Sequence, residues 1–454
     1  FEKKDILQIF YYAIFAGALS LSLPLGVQAI INLIQGAQIS SSWIILVVLV
    51  TLGVGFTGTL QIMQLRIIET LQQRIFTRAS FELTYRFPKL KLDALRKYYL
   101  PELANRFFDT LSIQKGLAKI LIDVPSALIQ ILFTLILLSL YHPFFILFGL
   151  GLVSLMFFVF QYTVRRGLET SLEESKHKYR VAHWIQEIAR SIVSFKLSAK
   201  SDFGLRKNDE LVSDYLSARE NHFQVIKLQY IKLIGFKITI TAGLLIIGGA
   251  LVLNQQMNIG QFVAAEIIIL LTIASVEKLI VSLETLYDIL TSIEKLGGLV
   301  DLATEKQGGK ELNPNSDFTI ELKNIDYVVS EIDKPILSGV NLKINPKDKI
   351  LIRGISGSGK SSLLNLIAGI INPTQGTVFI GQHNLKALNL NQYRSFLGLS
   401  LPEEVLFKGT IKENLTFGDT SITEAIIQDL LNVLGLESFI KNQSMGLESN
   451  VNSE

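Results

Sequence analysis

Eight consecutive residues, Gly354-Ile355-Ser356-Gly357-Ser358-Gly359-Lys360-Ser361, carry the most legible chemistry of this chain. The spacing G-x-x-x-x-G-K-S makes a loop whose backbone N–H groups cradle phosphates, with a lysine for the β- and γ-phosphates and a hydroxyl for Mg²⁺. Such a loop needs a strand before it and a helix after it. Lys349-Ile350-Leu351-Ile352 reads as a short buried strand, and Leu363-Leu364-Asn365-Leu366-Ile367-Ala368 as a helix whose N-terminus faces the phosphates. The expected ligand is a nucleotide with its magnesium, and Ser361 is the expected metal ligand.

The rest of the chain is unlike a soluble enzyme. Of 454 residues, 49% are hydrophobic and only 18% charged, with a mean hydropathy of +0.39. Soluble domains carry about a quarter charged residues, so the deficit points to a membrane protein. A net charge of +3 gives no footprint for nucleic acid. With no cysteine, the chain has no disulfide framework, thiolate zinc site or cysteine nucleophile, and its five histidines show no metal-binding spacing. The apolar stretch after Asp5 is too long for a cleavable signal peptide.

Charge-free runs define the spans. None of Asp, Glu, Lys or Arg occurs from Ile6 to Leu65 or from Val124 to Val164, and Leu233–Ile280 is a third apolar region. A spanning helix needs about 20 apolar residues. Six spans follow, near 7–34, 43–65, 120–141, 143–164, 233–253 and 260–281. The short loops Gln35–Ser42, Tyr141–Pro143 and Asn254–Gly260 hold no Lys or Arg, whereas the long segments after Leu65 and Val164 are rich in both. The positive-inside rule then puts the long segments, both ends and the phosphate-binding loop in the cytoplasm. Those segments read as helical extensions, levers that carry the spans toward the nucleotide domain. Span six bears Glu266, an intramembrane carboxylate and a candidate for a substrate or gating role.

Taken together, the chain resembles an ABC exporter half-transporter. Ile320–Ile325 and Pro335–Leu342 resemble the strands that open that family's nucleotide-binding domain. Leu406-Phe407-Lys408-Gly409-Thr410-Ile411-Lys412-Glu413-Asn414-Leu415, with Phe417-Gly418, resembles the segment after its Q-loop. Asn258–Ala264 resembles the start of the sixth span, and Asn105–Asp109 the first intracellular loop beside a coupling helix. The fold implied is an all-α six-helix transmembrane domain with long cytoplasmic helical extensions, then a partial α/β P-loop nucleotide-binding domain. Expected boundaries are 1–295 for the first, 296–315 for a linker and 316–454 for the second.

The resemblance implies ATP-driven export of an unidentified substrate (lipid, hydrophobic compound or peptide) by alternating access, with ATP and Mg²⁺ as cofactors. Gly354, Ser356, Gly357, Ser358, Gly359, Lys360, Ser361 and Ser362 would bind the phosphates. A second half-transporter, identical or not, is the implied partner, in the plasma (inner) membrane. The family's adenine-stacking aromatic falls at Val329, two residues after Tyr327, and its Q-loop glutamine at Pro402. These departures motivate an alternative, a nucleotide-binding but poorly hydrolysing regulatory half of a heterodimer, against which the intact phosphate loop stands. The signature and Walker B segments are expected beyond Glu454, so no catalytic base is assigned within this chain.

Overall fold

Each charge-free run forms a helix that continues well past its apolar part. The computed structural model describes residues 3–36, 41–96, 98, 100–198, 201–313, 316–329, 334–400 and 406–451. It divides into two compact units, Phe1–Glu305 and Lys306–Glu454. Among the described residues, six helices are long and apolar enough to cross a membrane, all in the first unit.

The first span is made of α1 (Lys3–Ser20) and α2 (Ser22–Gln35), offset at Leu21. Pro24 explains the offset, since it removes the donor that would bond to the carbonyl of Ser20. The others are α3 (Ser41–Arg86), α4 (Asp109–Tyr141), α5 (Phe144–Arg190), α6 (Phe203–Gly243) and α7 (Ile259–Val300). After Gly243 a five-residue π-helical turn, Leu244–Gly248, carries α6 on to Leu253.

At 47 residues, α5 is about 70 Å long against about 30 Å of hydrocarbon, so half of it extends outside the bilayer. There it packs along α6. Thr170 Oγ1 lies 2.9 Å from His222 Nδ1, Arg219 pairs with Glu174 at 3.2 Å, and Trp184 Nε1 donates to the carbonyl of Gly204 at 3.1 Å. This is the long helical extension expected for the second segment. The first breaks after Arg86 into short turns, including Leu92–Leu95 and Leu100–Asn105. Pro88 falls at this break, where its missing N–H removes a helical hydrogen bond. These turns are strapped to the end of α7: Lys91 N–H donates to the carbonyl of Ala303 at 2.9 Å, and Glu305 N–H to that of Lys89 at 2.7 Å.

The core of the first unit lies on α7. Half of its apolar window is buried, against 6% for that of α3. Small residues (Ala264, Ala265, Ser275, Ser282) allow the neighbouring backbones to approach, as in membrane helix packing generally. Asn258 and Gln261 cap its start reciprocally, at 2.7 and 3.0 Å. By contrast α3 exposes Ile44, Ile45, Leu49, Leu52, Phe56 and Ile62, a surface suited to lipid. Ion pairs stand at the far end of the sixth apolar run: Glu277 with Lys237 at 2.6 Å, and Lys278 with Asp123 at 3.9 Å. Glu266 is exposed on the surface of this unit. α7 extends to Val300, past position 296 where the linker was expected, because Leu299 packs against Leu83, Leu90 and Leu103.

In the second unit, β1 (Ile320–Tyr327), β2 (Leu337–Ile344), β3 (Gln375–Ile380) and β4 (His383–Asn384) form one antiparallel sheet in the order β2-β1-β3-β4. The helix α8 (Lys360–Ile367) lays Leu363 and Leu366 onto a core that includes Leu322, Ile325, Leu337 and Val378.

A tyrosine locks three membrane helices together. Tyr287 of α7 is fully buried; it accepts from Gln229 Nε2 of α6 at 3.0 Å and donates to the carbonyl of Thr163 on α5 at 3.3 Å. Its ring fits against Gly167, where a Cβ would come within 2.3 Å of Cζ. Gly167→Ala should therefore cost about 1–3 kcal/mol through overpacking. Thermal melting in detergent checks this: the midpoint should fall, and Tyr287→Leu in the same chain should recover much of the loss. An unchanged midpoint for Gly167→Ala would mean that the ring yields freely.

Candidate functional site

The loop 354–359 is built by two glycines in the left-handed region. Gly357 has φ +83° and Gly359 φ +89°, conformations that a side chain disfavours. Gly359 is the N-cap of α8. The N–H of Leu363, which donates to the carbonyl of Gly359 at 2.9 Å, closes the first helical turn. Lys360, Ser361 and Ser362 therefore present backbone N–H groups that have no carbonyl four residues back within the helix. Orphan amides and the positive end of the helix dipole fall in one place, which is what an anion needs. The Ser358 N–H is used within the loop, on the carbonyl of Ile355 at 3.2 Å.

Lys360 folds back over the loop. Its ammonium donates to the carbonyl of Gly354 at 2.9 Å and to that of Ile355 at 2.8 Å. These carbonyls hold a positive charge beside the orphan amides, and an ammonium carries three donors in all. The anchoring carbonyls were not foreseen, because backbone acceptors leave no mark in a residue pattern. Ser361 follows at the first turn of α8, as the motif requires. The set of donors, amides and ammonium on one side and a serine hydroxyl beside them, fits a polyphosphate with a hard, oxygen-seeking cation such as Mg²⁺.

The far end of α8 is fixed from below. The carbonyl of Ile367 accepts from the Tyr393 hydroxyl at 2.8 Å, and that of Gly369 from Arg394 Nη2 at 2.6 Å. Burial pushes the Tyr393 phenol up to about 12, so it stays a donor at neutral pH. These contacts satisfy carbonyls that a helix end leaves unpaired.

Two expectations need correction. Lys349–Ile352 does not form a strand, and Ile350 and Leu351 are 50% and 71% exposed. A buried strand in an α/β sheet needs a partner along its edges, and no described strand pairs with these residues. Second, Tyr327 and Val329, named as candidate nucleotide contacts at the end of β1, are both buried in the core beneath α8, at 3% and 8% exposure. The residue turned outward at the end of β1 is Val328, whose N–H donates to Thr374 Oγ1 at 3.0 Å. Strand alternation contained that signal, since Ile325, Tyr327 and Val329 share one parity and hence one face. The bulge at Asn324 (φ +48°) shifts the parity between Leu322 and Ile325, both buried.

Pro402 lies outside the described residues. The segment after it is tightly made: Asn414 accepts from Phe407 N–H at 3.0 Å and donates to the carbonyl of Phe407 at 2.9 Å. Thr410 and Glu413 form a capping box at the start of the helix Ile411–Thr416.

Comparison with known proteins agrees with this geometry. A family model described as ABC transporter matches residues 337–450. The α-hemolysin translocation ATP-binding protein HlyB of Escherichia coli O157:H7 is 27% identical over 273 residues, 60% of this chain and 38% of that protein. The ATP-dependent lipid A-core flippase of Burkholderia orbicola (strain AU 1054) is 30% identical over 196 residues, 43% of this chain and 33% of that protein. This chain thus spans well under half the length of each. A solved bacterial Atm1-family ABC exporter with ATP bound superposes on all of this chain and 80% of its own length, with a TM-score of 0.79 at 16% identity, a likeness of fold.

The loop geometry generates a direct test. A Cβ on Gly359 would lie 2.9 Å from Leu337 Cδ2 and 3.1 Å from the carbonyl of Ile336, at a φ that disfavours side chains. Gly359→Ala should cost about 1–2 kcal/mol from the backbone alone. Calorimetry should show a weakened transition for this variant and an unchanged one for Ser356→Ala, whose site is exposed. Equal stability of the two would contradict the strained cap.

Proposed function

Because the chain is a half-transporter of the ABC exporter type, an integral membrane protein with six spans joined to a nucleotide-binding domain, we propose that it drives export by binding and hydrolysing MgATP. The observation that carries this reading is the convergence of the Lys360 ammonium and the orphan amides of α8 on one loop, in the same polypeptide as the spans.

In this reading the backbone of Gly354, Ser356, Gly357, Ser358 and Gly359 surrounds the phosphates, and Lys360 offsets β- and γ-phosphate charge. Ser361 ligates Mg²⁺ and Ser362 donates nearby. Bound MgATP would supply the phosphoryl transfer, whose base comes from none of the residues named here. The loop faces the cytoplasm, as the Lys- and Arg-rich segments indicate. A second half-transporter completes the machine, in the plasma (inner) membrane. The long α5–α6 pair transmits the change to the spans, and cargo leaves from the cytoplasmic side.

The route within the membrane half is supported by a cavity of about 250 Å³ between α1, α3, α4 and α7. Its lining includes Ser20, Gln61, Gln64, Gln130, Ser275 and Lys278, a polar set inside an otherwise apolar bundle. Polar side chains at membrane depth are costly unless they serve a path or a partner. Hemolysin and lipid A, which the two relatives' names give as cargo, bracket a range from protein to lipid, and the polar lining favours a polar or peptide-like cargo.

A second reading, a regulatory half that binds nucleotide but turns it over poorly, is favoured by Val329 and by the burial of Tyr327, which leave the base without an aromatic. One experiment covers both. For the protein in liposomes, Lys360→Ala should weaken MgATP binding at least about tenfold, since a charge-assisted contact is worth about 1.5–3 kcal/mol. Vanadate-sensitive turnover that disappears in this variant supports the export ATPase, and binding without turnover supports the regulatory half. Binding unaffected by Lys360→Ala overturns both.

A further inference from the structure

We propose that a cavity between the extramembrane half of α5, the turns before α4 and the end of α7 binds a short peptide as its zwitterion. The cavity holds about 580 Å³, a size that suits a small organic ligand. It is set in water rather than in lipid. Its α5 wall runs from Leu172 to His183, and Tyr179 stands about 15 residues, or roughly 20 Å, past Val164, where the fourth charge-free run ends. Its chemistry depends on neither the nucleotide nor the cargo proposed above.

The less exposed groups of the lining are cationic. Arg106, its side chain 18% exposed, reaches Glu102 only at 3.9 Å, the carbonyl of Lys295 at 3.5 Å and the Tyr98 ring at 5.7 Å. Lys295 sits 3.2 Å over the Tyr179 ring and donates to the carbonyl of Ser175 at 3.3 Å. That ring is held through its hydroxyl, which donates to Asp109 and lies 2.7 and 2.6 Å from the two carboxylate oxygens. An ammonium has three donors and a guanidinium five, so these contacts leave donors over for a ligand carboxylate. The exposed rim carries the opposite group. Glu294 stands next to Lys295 on α7, and among the described residues its carboxylate has no ion pair or hydrogen bond. The same holds for the guanidinium of Arg180 on α5.

Charge balance selects the class of ligand. Arg106, Lys176, Arg180 and Lys295 on the lining face Glu102, Glu173 and Glu294, and Asp109 behind the Tyr179 hydroxyl makes the two signs equal. Glu102 also has His183 at 3.6 Å, and Glu173 is shared by Lys176 at 3.5 Å and His177 at 3.1 Å, so Glu294 is the carboxylate left for a ligand. A bare anion or a bare cation meets no net attraction in such a lining. A molecule with a carboxylate for Arg106 and Lys295 and an ammonium for Glu294 meets both signs. Between those ends a peptide carbonyl gives Arg180 an acceptor.

Isothermal titration calorimetry of the full chain in detergent, with L-alanyl-L-alanine as the probe, tests this without nucleotide. The dipeptide should bind. Acetylating its amine, or converting its carboxylate to the amide, should each weaken binding at least about tenfold. Glu294→Gln should weaken the unblocked dipeptide about tenfold and leave the acetylated one unchanged, a pattern that loss of folding would not give. Arg180→Ala should weaken all three forms alike, since each keeps the peptide carbonyl. Glu210→Gln, on exposed α6 surface, should change nothing. No binding of the dipeptide, equal affinity for its blocked forms, or an effect of Glu294→Gln that ignores the amine overturns the proposal. So does binding of inorganic phosphate or ethylamine as tight as that of the dipeptide, which would make the cavity a site for simple ions.

Discussion

A peptide group in hydrocarbon has no water to bond, so a chain that enters the bilayer must satisfy every backbone donor and acceptor itself. That constraint shapes the first 305 residues of this protein. It turns each charge-free run into a helix, and it makes irregular backbone costly except outside the membrane. The breaks that do occur obey it. The offset at Leu21 falls at a proline, the π-helical turn of α6 is flanked by Gly243 and Gly249, and the proline-bearing segment 87–108 follows the apolar part of α3.

The same constraint explains why packing inside the bundle relies on small and polar groups. Lipid tails are as apolar as leucine, so burial against a neighbouring helix gains little by the hydrophobic effect. Close approach and hydrogen bonds must do it, as with Gly167 beneath the Tyr287 ring and Thr272 Oγ1 on Thr134 Oγ1 at 2.9 Å. In the second unit the balance reverses. There an ordinary aqueous core of Leu322, Ile325, Leu366 and Val378 fixes α8, and α8 in turn fixes the direction in which its orphan amides point.

Much of this was legible in the residues. The six spans and the helical extension along α5 and α6 follow from hydropathy and apolar spacing, which are local properties. The phosphate loop follows from glycines whose φ values only glycine adopts cheaply. What was not legible depends on partners distant in sequence. Lys349–Ile352 has a strand's composition, but composition cannot supply the neighbouring strand that would pair with it. For Tyr327 the parity shared with Ile325 and Val329 was there to be read, but the bulge at Asn324, which breaks the alternation from Leu322, was not.

The central claim is that nucleotide chemistry at Lys360 changes the membrane half. The chain contains no cysteine, so a single introduced thiol reports without background. Ser275→Cys lies on the polar cavity. In liposomes its rate of alkylation by a water-soluble maleimide should change several-fold on addition of MgATP with vanadate. The change should vanish when Lys360→Ala is added. Identical rates with and without nucleotide, in a protein shown to bind it, would contradict the coupling on which this account rests.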